Sequence, residues 1–298
     1  MPFRFKKSES PTKAVRRVCR ERVGAALNCL RRPGRPAAVH GARKEIKKLR
    51  AIFRLVRGEI GAGAYRKNMK ALRAAADCLA TTRDARVMLK AFEKLTGSLA
   101  RKFTGIKTAL QENARREARQ FRKKNSVAQA ELLLRKTGRR VNGSKMKATG
   151  WGAMEPGLKQ SYQQGREASR LARTQPGPEN FHEWRKHVKD LWYYFGLLQA
   201  VLPAATRAMT DQLELLGEQL GEDHDLFLLQ EFTAKHCAAR AMEVESVNRL
   251  IASRQKKLRA AAVKFGSRFY AETPARFCRR LVDCAGNQRR AGRALEIS

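Results

Sequence analysis

Three observations predict an all-α fold for this sequence. Apolar residues recur at three- and four-residue intervals along nearly every long segment, helix-forming Ala, Leu, Arg and Lys dominate, and alternating strand patterns are absent. The helical segments also run twice in the same order, on either side of a Gly-rich stretch.

The elements follow in order. Ser10-Pro11 supplies an N-cap and a first helical position for a helix reaching Leu30. Arg31 to Pro36 breaks the chain before a second helix through Arg57, and a third covers about Tyr65 to Leu79. A long charged helix is expected from Asp84 to about Lys124, and a shorter one from Val127 to Arg140. Thr137 to Gly157 holds Gly138, Gly143, Gly150, Gly152, Pro156 and Gly157 without periodicity and reads as a linker. Beyond it, helices are expected at about Leu158 to Thr174, Asn180 to Ala200, Ala204 to Leu220 and Asp225 to Phe269, with a short one around Phe277 to Cys284. The chain thus divides into an N-terminal helical half (about 1–140), a linker (about 141–157) and a C-terminal helical half (about 158–298), read together as one domain.

Charge is the unusual feature of the composition. With 64 Lys+Arg against 27 Asp+Glu, 64 − 27 gives +37, while the apolar fraction is an ordinary 43%. The apolar content is that of a folded globule. Self-repulsion on this scale calls for a polyanionic partner, and composition alone does not choose among DNA, RNA, an anionic membrane surface and polyphosphate. Cys19, Cys29, Cys78, Cys237, Cys278 and Cys284 form no C-x-x-C pair, which fits a reducing cytosol and neither a zinc site nor a disulfide framework. Met1 to Lys7 are followed by no apolar h-region, and no apolar run approaches the roughly 20 residues of a membrane span. A cytoplasmic protein is expected, with no membrane contact.

The internal repeat carries the functional argument. Laying His40 on His182 gives an offset of 182 − 40 = 142, at which Arg43 matches Arg185, Lys44 matches Lys186, Lys47 matches Lys189, Leu49 matches Leu191 and Phe53 matches Phe195. After one deletion Asp84 aligns with Asp225, each opening an apolar run. A duplication of this length implies two helical bundles related by a pseudo-two-fold axis.

On a helical wheel Arg43, Lys44, Lys47, Arg50 and Arg54 fall within about 80° of His40, whereas Ile46, Leu49, Ile52, Phe53 and Val56 take the opposite face. His182, Arg185, Lys186 and Lys189 repeat the stripe, backed by Val188, Leu191, Tyr194, Phe195 and Leu198. The second copy is weaker, with Trp192 at the place of Arg50 and Gly196 at that of Arg54. A single amphipathic helix with such a face is ordinarily just solvated surface. Solvated faces mix both signs, however, and like charges four apart repel. Nearly pure positive charge placed in phase twice points to a ligand.

These residues resemble the CHAD family (conserved histidine α-helical domain). The resemblance rests on His40-Gly-Ala-Arg43-Lys44-Glu-Ile-Lys47-Lys48-Leu49-Arg50 and His182-Glu-Trp-Arg185-Lys186-His187-Val-Lys189, with Arg83-Asp84 and His224-Asp225 as its second element. Asp190 and Trp192 depart from the basic pattern. The resemblance implies two antiparallel bundles related by a pseudo-dyad, with the histidine helices lining a central basic cavity. It also implies binding of inorganic polyphosphate there, and association with polyphosphate granules. The binding residues it implies are His40, Arg43, Lys44, Lys47, Arg50, Arg54, His182, Arg185, Lys186 and Lys189. Lys48, Arg66, Lys70, Arg73, Arg115, Arg119, Arg122, Arg254, Lys257 and Arg289 are secondary candidates for a wider track. No E-x-E-x-K motif of a fused triphosphatase is found.

Physically, a chain of phosphates without bases must be held by contacts to its oxygens, with Arg forking two and Lys acting as a movable point charge. The alternative is non-specific nucleic-acid binding. A 7% aromatic content offers few stacking platforms, and no zinc-finger or RRM signature appears. An enzyme is the third class. Glu222-Asp223-His224-Asp225 is the one acidic cluster with a histidine, and helix capping accounts for it more simply than a metal does. No P-loop or nucleophile elbow is present. The expectation is a binding protein with no cofactor, no metal and no catalytic residues; the sequence leaves its oligomeric state open.

Overall fold

Proline opens several of the helices. Pro11, Pro178 and Pro203 stand at first positions, where a missing N–H costs nothing and the fixed φ is already helical. Ser10 precedes Pro11 in extended backbone as an N-cap should, although its hydroxyl makes no capping hydrogen bond. A computed structural model of the chain describes residues 3–6, 8–31, 36–123, 125–143, 146 and 151–281. The described residues form helices and no strand: α1 (Pro11–Leu30), α2 (Pro36–Leu55), α3 (Ala62–Cys78), α4 (Thr81–Thr96), α5 (Thr104–Lys123), α6 (Ser126–Gly143), α7 (Glu155–Thr174), α8 (Pro178–Leu198), α9 (Pro203–His236) and α10 (Ala241–Phe269). Residues 274–281 are helical as well. The all-α expectation holds.

The structure departs from the expected elements at four places, one of them at residues 237–240, where α9 ends and the helix expected from Asp225 to Phe269 is divided. The helix expected over Asp84 to Lys124 is two, because Gly97 ends α4 with φ +49, a conformation side chains with a Cβ rarely adopt. A 3-10 turn, Gly97–Phe103, then reverses the chain so that α5 packs back on α4. The break expected between Leu220 and Asp225 does not exist, and α9 runs through both. Finally, helix extends into both ends of the expected linker. Gly138 and Gly143 belong to α6, while Pro156 and Gly157 begin α7. At Gly157 a Cβ would run into the Leu55 carbonyl oxygen, so the glycine lets α7 seat against the end of α2.

Buried side chains form two clusters, and both halves of the sequence contribute to each. The larger gathers α1, α2, α3 and α6 with α7, α8 and parts of α9 and α10, around Ile46, Leu49, Ile52, Trp184, Tyr194 and Phe195. The predicted apolar faces of the two histidine helices lie within it. The smaller holds Phe92, Phe103, Ile106 and Leu110 of the α4–α5 hairpin against Leu226, Leu229, Val247 and Ile251 of α9 and α10. Each half therefore lends a hairpin to a shared second core, which fixes the halves to one another beyond the contact between α2 and α8. Among the described residues no helix is long and apolar enough to cross a membrane.

Candidate functional site

The histidine helices α2 and α8 touch, and their cationic stripes share one electrostatic environment. His40, Lys44 and Lys186 are exposed; Arg43, Lys47, Arg50, Arg54, His182, Arg185 and Lys189 are partly buried. Burial pushes the His182 imidazole down to about 4, reinforced by Lys186 and Arg185 on its own helix and by Lys47 on α2. Burial also holds Lys189 below its ordinary value; Arg185 and, from α2, Lys44 act in the same direction. Residues of one copy of the repeat thus act on residues of the other across the α2–α8 contact, Lys47 on His182 and Lys44 on Lys189. An anion entering this field would relieve the repulsion.

Helix α9 is the third wall. A Cβ on Gly217 would stand 2.8 Å from both Cε and Nζ of Lys189, and one on Gly221 would stand 3.4 Å from Nε of Arg185. Glycines four apart therefore make a bed on α9 over which two cations of α8, also four apart, lie. The Lys189 ammonium sits 4.6 Å from the centre of the Trp192 ring, within cation–π range. Glu214 and Glu218 of α9 act on it in the opposite sense to the neighbouring cations. The His182 ring lies against that of His224 of α9, with ring centres 4.0 Å apart and the planes tilted by 33°.

Other members of the predicted set are tied into the scaffold. Arg43 donates to the Ala76 carbonyl oxygen at 2.6 Å, joining α2 to the end of α3. Arg54 is paired with the buried carboxylate of Asp190 at 2.7 Å, and Lys48 with Glu45 at 2.7 Å. Glu45 is itself buried and also receives Arg22. Arg50 is held below its ordinary value by burial first and by the adjacent Arg54 and Arg73. Arg54 thus belongs to a clasp between helices, Lys48 to a pair within α2 whose carboxylate also takes Arg22 of α1, and Asp190 is a partner to the stripe.

Among the secondary candidates, Arg66, Lys70 and Arg73 are exposed on α3, and Arg73 is close enough to act on Arg50. Arg115 and Arg119 are exposed on α5, as is Lys257 on α10. Arg254 donates to Glu222. The side chain of Arg122, the side chain of Arg83, and the whole of Arg289 and Cys284 lie outside the described residues.

The acidic cluster needs correction. Glu222, Asp223, His224 and Asp225 lie in the middle of α9, so helix capping does not explain them. Glu222 accepts from Lys94 of α4 at 2.6 Å and from Arg254 of α10, and Asp223 is buried and accepts from Arg259 at 2.7 Å. These acids clasp α4, α9 and α10 together. His187 is partly buried, with Nε2 3.3 Å from Glu183. Sequence reasoning missed Gly217, Gly221 and His224 as parts of the site. The available signal was a glycine pair spaced four apart within a strongly helical segment.

Over residues 14–234 the sequence matches the family model of the CHAD domain. The chain belongs to the CHAD family. The matched residues run from α1 almost to the end of α9, and so take in both histidine helices and the glycine bed. This CHAD fold is similar to the crystal structure of the CHAD domain from the plant Ricinus communis, with a TM-score of 0.65, 16% sequence identity, and 91% of this chain and 96% of that chain covered. At that identity the likeness is one of fold. No curated protein matches the chain in sequence. In this CHAD domain, cations of α2 and α8 gather beside α9.

Proposed function

We propose that this CHAD domain binds inorganic polyphosphate across α2 and α8, as a binding protein rather than an enzyme. One observation carries the reading. Lys44 and Lys47 of the first copy act on Lys189 and His182 of the second, so the duplicated stripes present one continuous positive field. Lys44, Lys47, Arg185, Lys186 and Lys189 are the phosphate contacts, with His40 and His182 as additional donors and Arg43 at the edge. A flexible phosphate chain offers oxygen acceptors along its whole length and no bases to be read, which matches a site built of Lys, Arg and His. Nucleic acid fits less well. The aromatic run Tyr193-Tyr194-Phe195 is buried, and Trp192 is engaged by Lys189. The protein acts in the cytoplasm, at polyphosphate granules.

A competition titration tests this reading. Long-chain polyphosphate and charge-matched duplex DNA compete for the purified protein near physiological salt. Polyphosphate should win by a large factor, and a Lys44→Ala/Lys47→Ala/Lys186→Ala variant should lose that preference. Equal competition per charge would return nucleic acid as the partner.

A further inference from the structure

A second concentration of cations lies on α7, apart from every residue of the α2–α8 site. Two neighbouring cavities, of about 280 Å³ and 290 Å³, share Arg166 and Glu167 in their walls and so form one furrow along α7. The first is bounded on its far side by Ser267 and Tyr270 of the α10 end, the second by Thr273 and Pro274.

Lys159, Arg166, Arg170 and Arg173 line this furrow. Their spacings of seven, four and three residues keep them on one helix face, and the span of fourteen residues is about 21 Å. Arg166 donates from Nε to the Tyr270 carbonyl oxygen at 3.0 Å, which fixes its guanidinium at the seam between α7 and the end of α10. The one carboxylate in the walls, Glu167, accepts from Gln163 at 3.1 Å. Among the described residues, Lys159, Arg170 and Arg173 have no carboxylate in ion-pair range. Ser267 and Thr273 add hydroxyls to the opposite wall, and Tyr270 is buried, leaving its ring no face for a base to stack on.

We propose that this furrow is a second polyphosphate site, able to hold another segment of the same chain or a second chain. The inference rests on polyphosphate as the ligand class of the α2–α8 site. Four cations against one engaged carboxylate, with hydroxyls and no aromatic platform, match a linear chain of phosphate oxygens. A protein with two such sites on different helices bridges segments, which makes it an organiser of the polymer and not merely a passenger on it.

Calorimetric titration with tripolyphosphate near physiological salt tests the proposal on the intact chain. The wild-type protein should take up two equivalents. The stripe variant, Lys44→Ala/Lys47→Ala/Lys186→Ala, and a furrow variant, Arg170→Ala/Arg173→Ala, should each take up one. Arg170→Lys/Arg173→Lys keeps the charge and should retain the second equivalent at several-fold lower affinity, which separates a lost site from a misfolded protein. A furrow variant that still takes up two equivalents, or a wild type whose only equivalent vanishes with the stripe, overturns the second site and leaves the first intact. Loss of all binding in the furrow variant alone, with the stripe variant unchanged, would instead overturn the α2–α8 reading.

Discussion

Arg54 of α2 donates through one Nη to both carboxylate oxygens of Asp190 on α8, at 2.7 Å and 2.8 Å. In sequence, Asp190 interrupts the second basic stripe, and Arg54 extends the first. In the fold the irregularity of one copy is answered by the other. Burial pushes the Asp190 carboxyl up to about 6, while Arg54 and Arg50 pull it down, so it remains the anion that holds the two histidine helices together.

The two ends of this pair should not be equivalent. Removing one partner of a buried ion pair costs about 3–5 kcal/mol when the charge left behind is trapped. Asp190 is trapped; Arg54 is about a quarter exposed (26% for its side chain) and can turn toward solvent. Arg54→Ala should therefore destabilise far more than Asp190→Asn, as read from urea midpoints. In Arg54→Ala the folded-state carboxyl would lie still further above its unfolded value, so the folded chain would bind the extra proton. Its stability should accordingly recover as pH falls from 7 toward 5. Equal losses at pH 7 would show that the pair does not act as a buried clasp.

Gly217→Ala separates the site from the scaffold. Within a helix the change is worth up to about 1 kcal/mol in favour of Ala. The added methyl would meet only the far end of the Lys189 side chain, at 2.8 Å, which can move away. The expected outcome is an unchanged or higher melting temperature together with roughly tenfold weaker polyphosphate binding, about the worth of one charge-assisted hydrogen bond. Retained affinity would remove Lys189 from the ligand contacts.

His182 links binding to protons. Its imidazole titrates near 4 in the free protein, below the usual 6.5, because it is buried beside Lys186, Arg185 and Lys47. A bound polyanion favours the imidazolium and raises that value. Affinity should therefore rise as pH falls through the bound-state value toward 4, and be flat well above it. Folding runs the other way: a folded value below the unfolded one contributes stability above 6.5 that is lost as pH falls toward 4. Isothermal titrations at pH 7, 6 and 5 should show growing affinity in the wild type and a shallower response in His182→Ala, the remainder coming from His40. A flat wild-type profile would place His182 outside the contact.

The sequence made the helical class and both stripes visible, because each needs only the period of one helix and a comparison of two. Ile46, Leu49 and Ile52 fell on the apolar face and are fully buried. Glycine was harder to read, since the same residue serves opposite ends. Gly97 stops a helix, whereas Gly217 and Gly221 sit inside one because side chains of α8 cross there. The charge partners were out of reach. Arg54 and Asp190 are 136 residues apart, and Lys94 and Glu222 are 128 apart, so no local pattern joins them. The shared second core of α4, α5, α9 and α10 was hidden for the same reason.

Salt dependence should distinguish the cations that meet phosphate from those that hold helices. Each phosphate contact releases a condensed counterion, so the logarithm of the binding constant falls linearly with that of salt, by about 0.7–0.9 per contact on nucleic acids. Lys44→Ala and Lys47→Ala should each lower this slope by close to one contact, and Lys186→Ala by less, because Glu183 already pairs with that ammonium. Arg54→Ala and Lys48→Ala should leave it unchanged, because Asp190 and Glu45 already neutralise those side chains. Titrations between low and physiological salt read both sets directly. A slope that drops with Arg54→Ala as it does with Lys47→Ala would mean that the ligand opens the Arg54–Asp190 clasp on binding, and the track would then extend to the far end of α2.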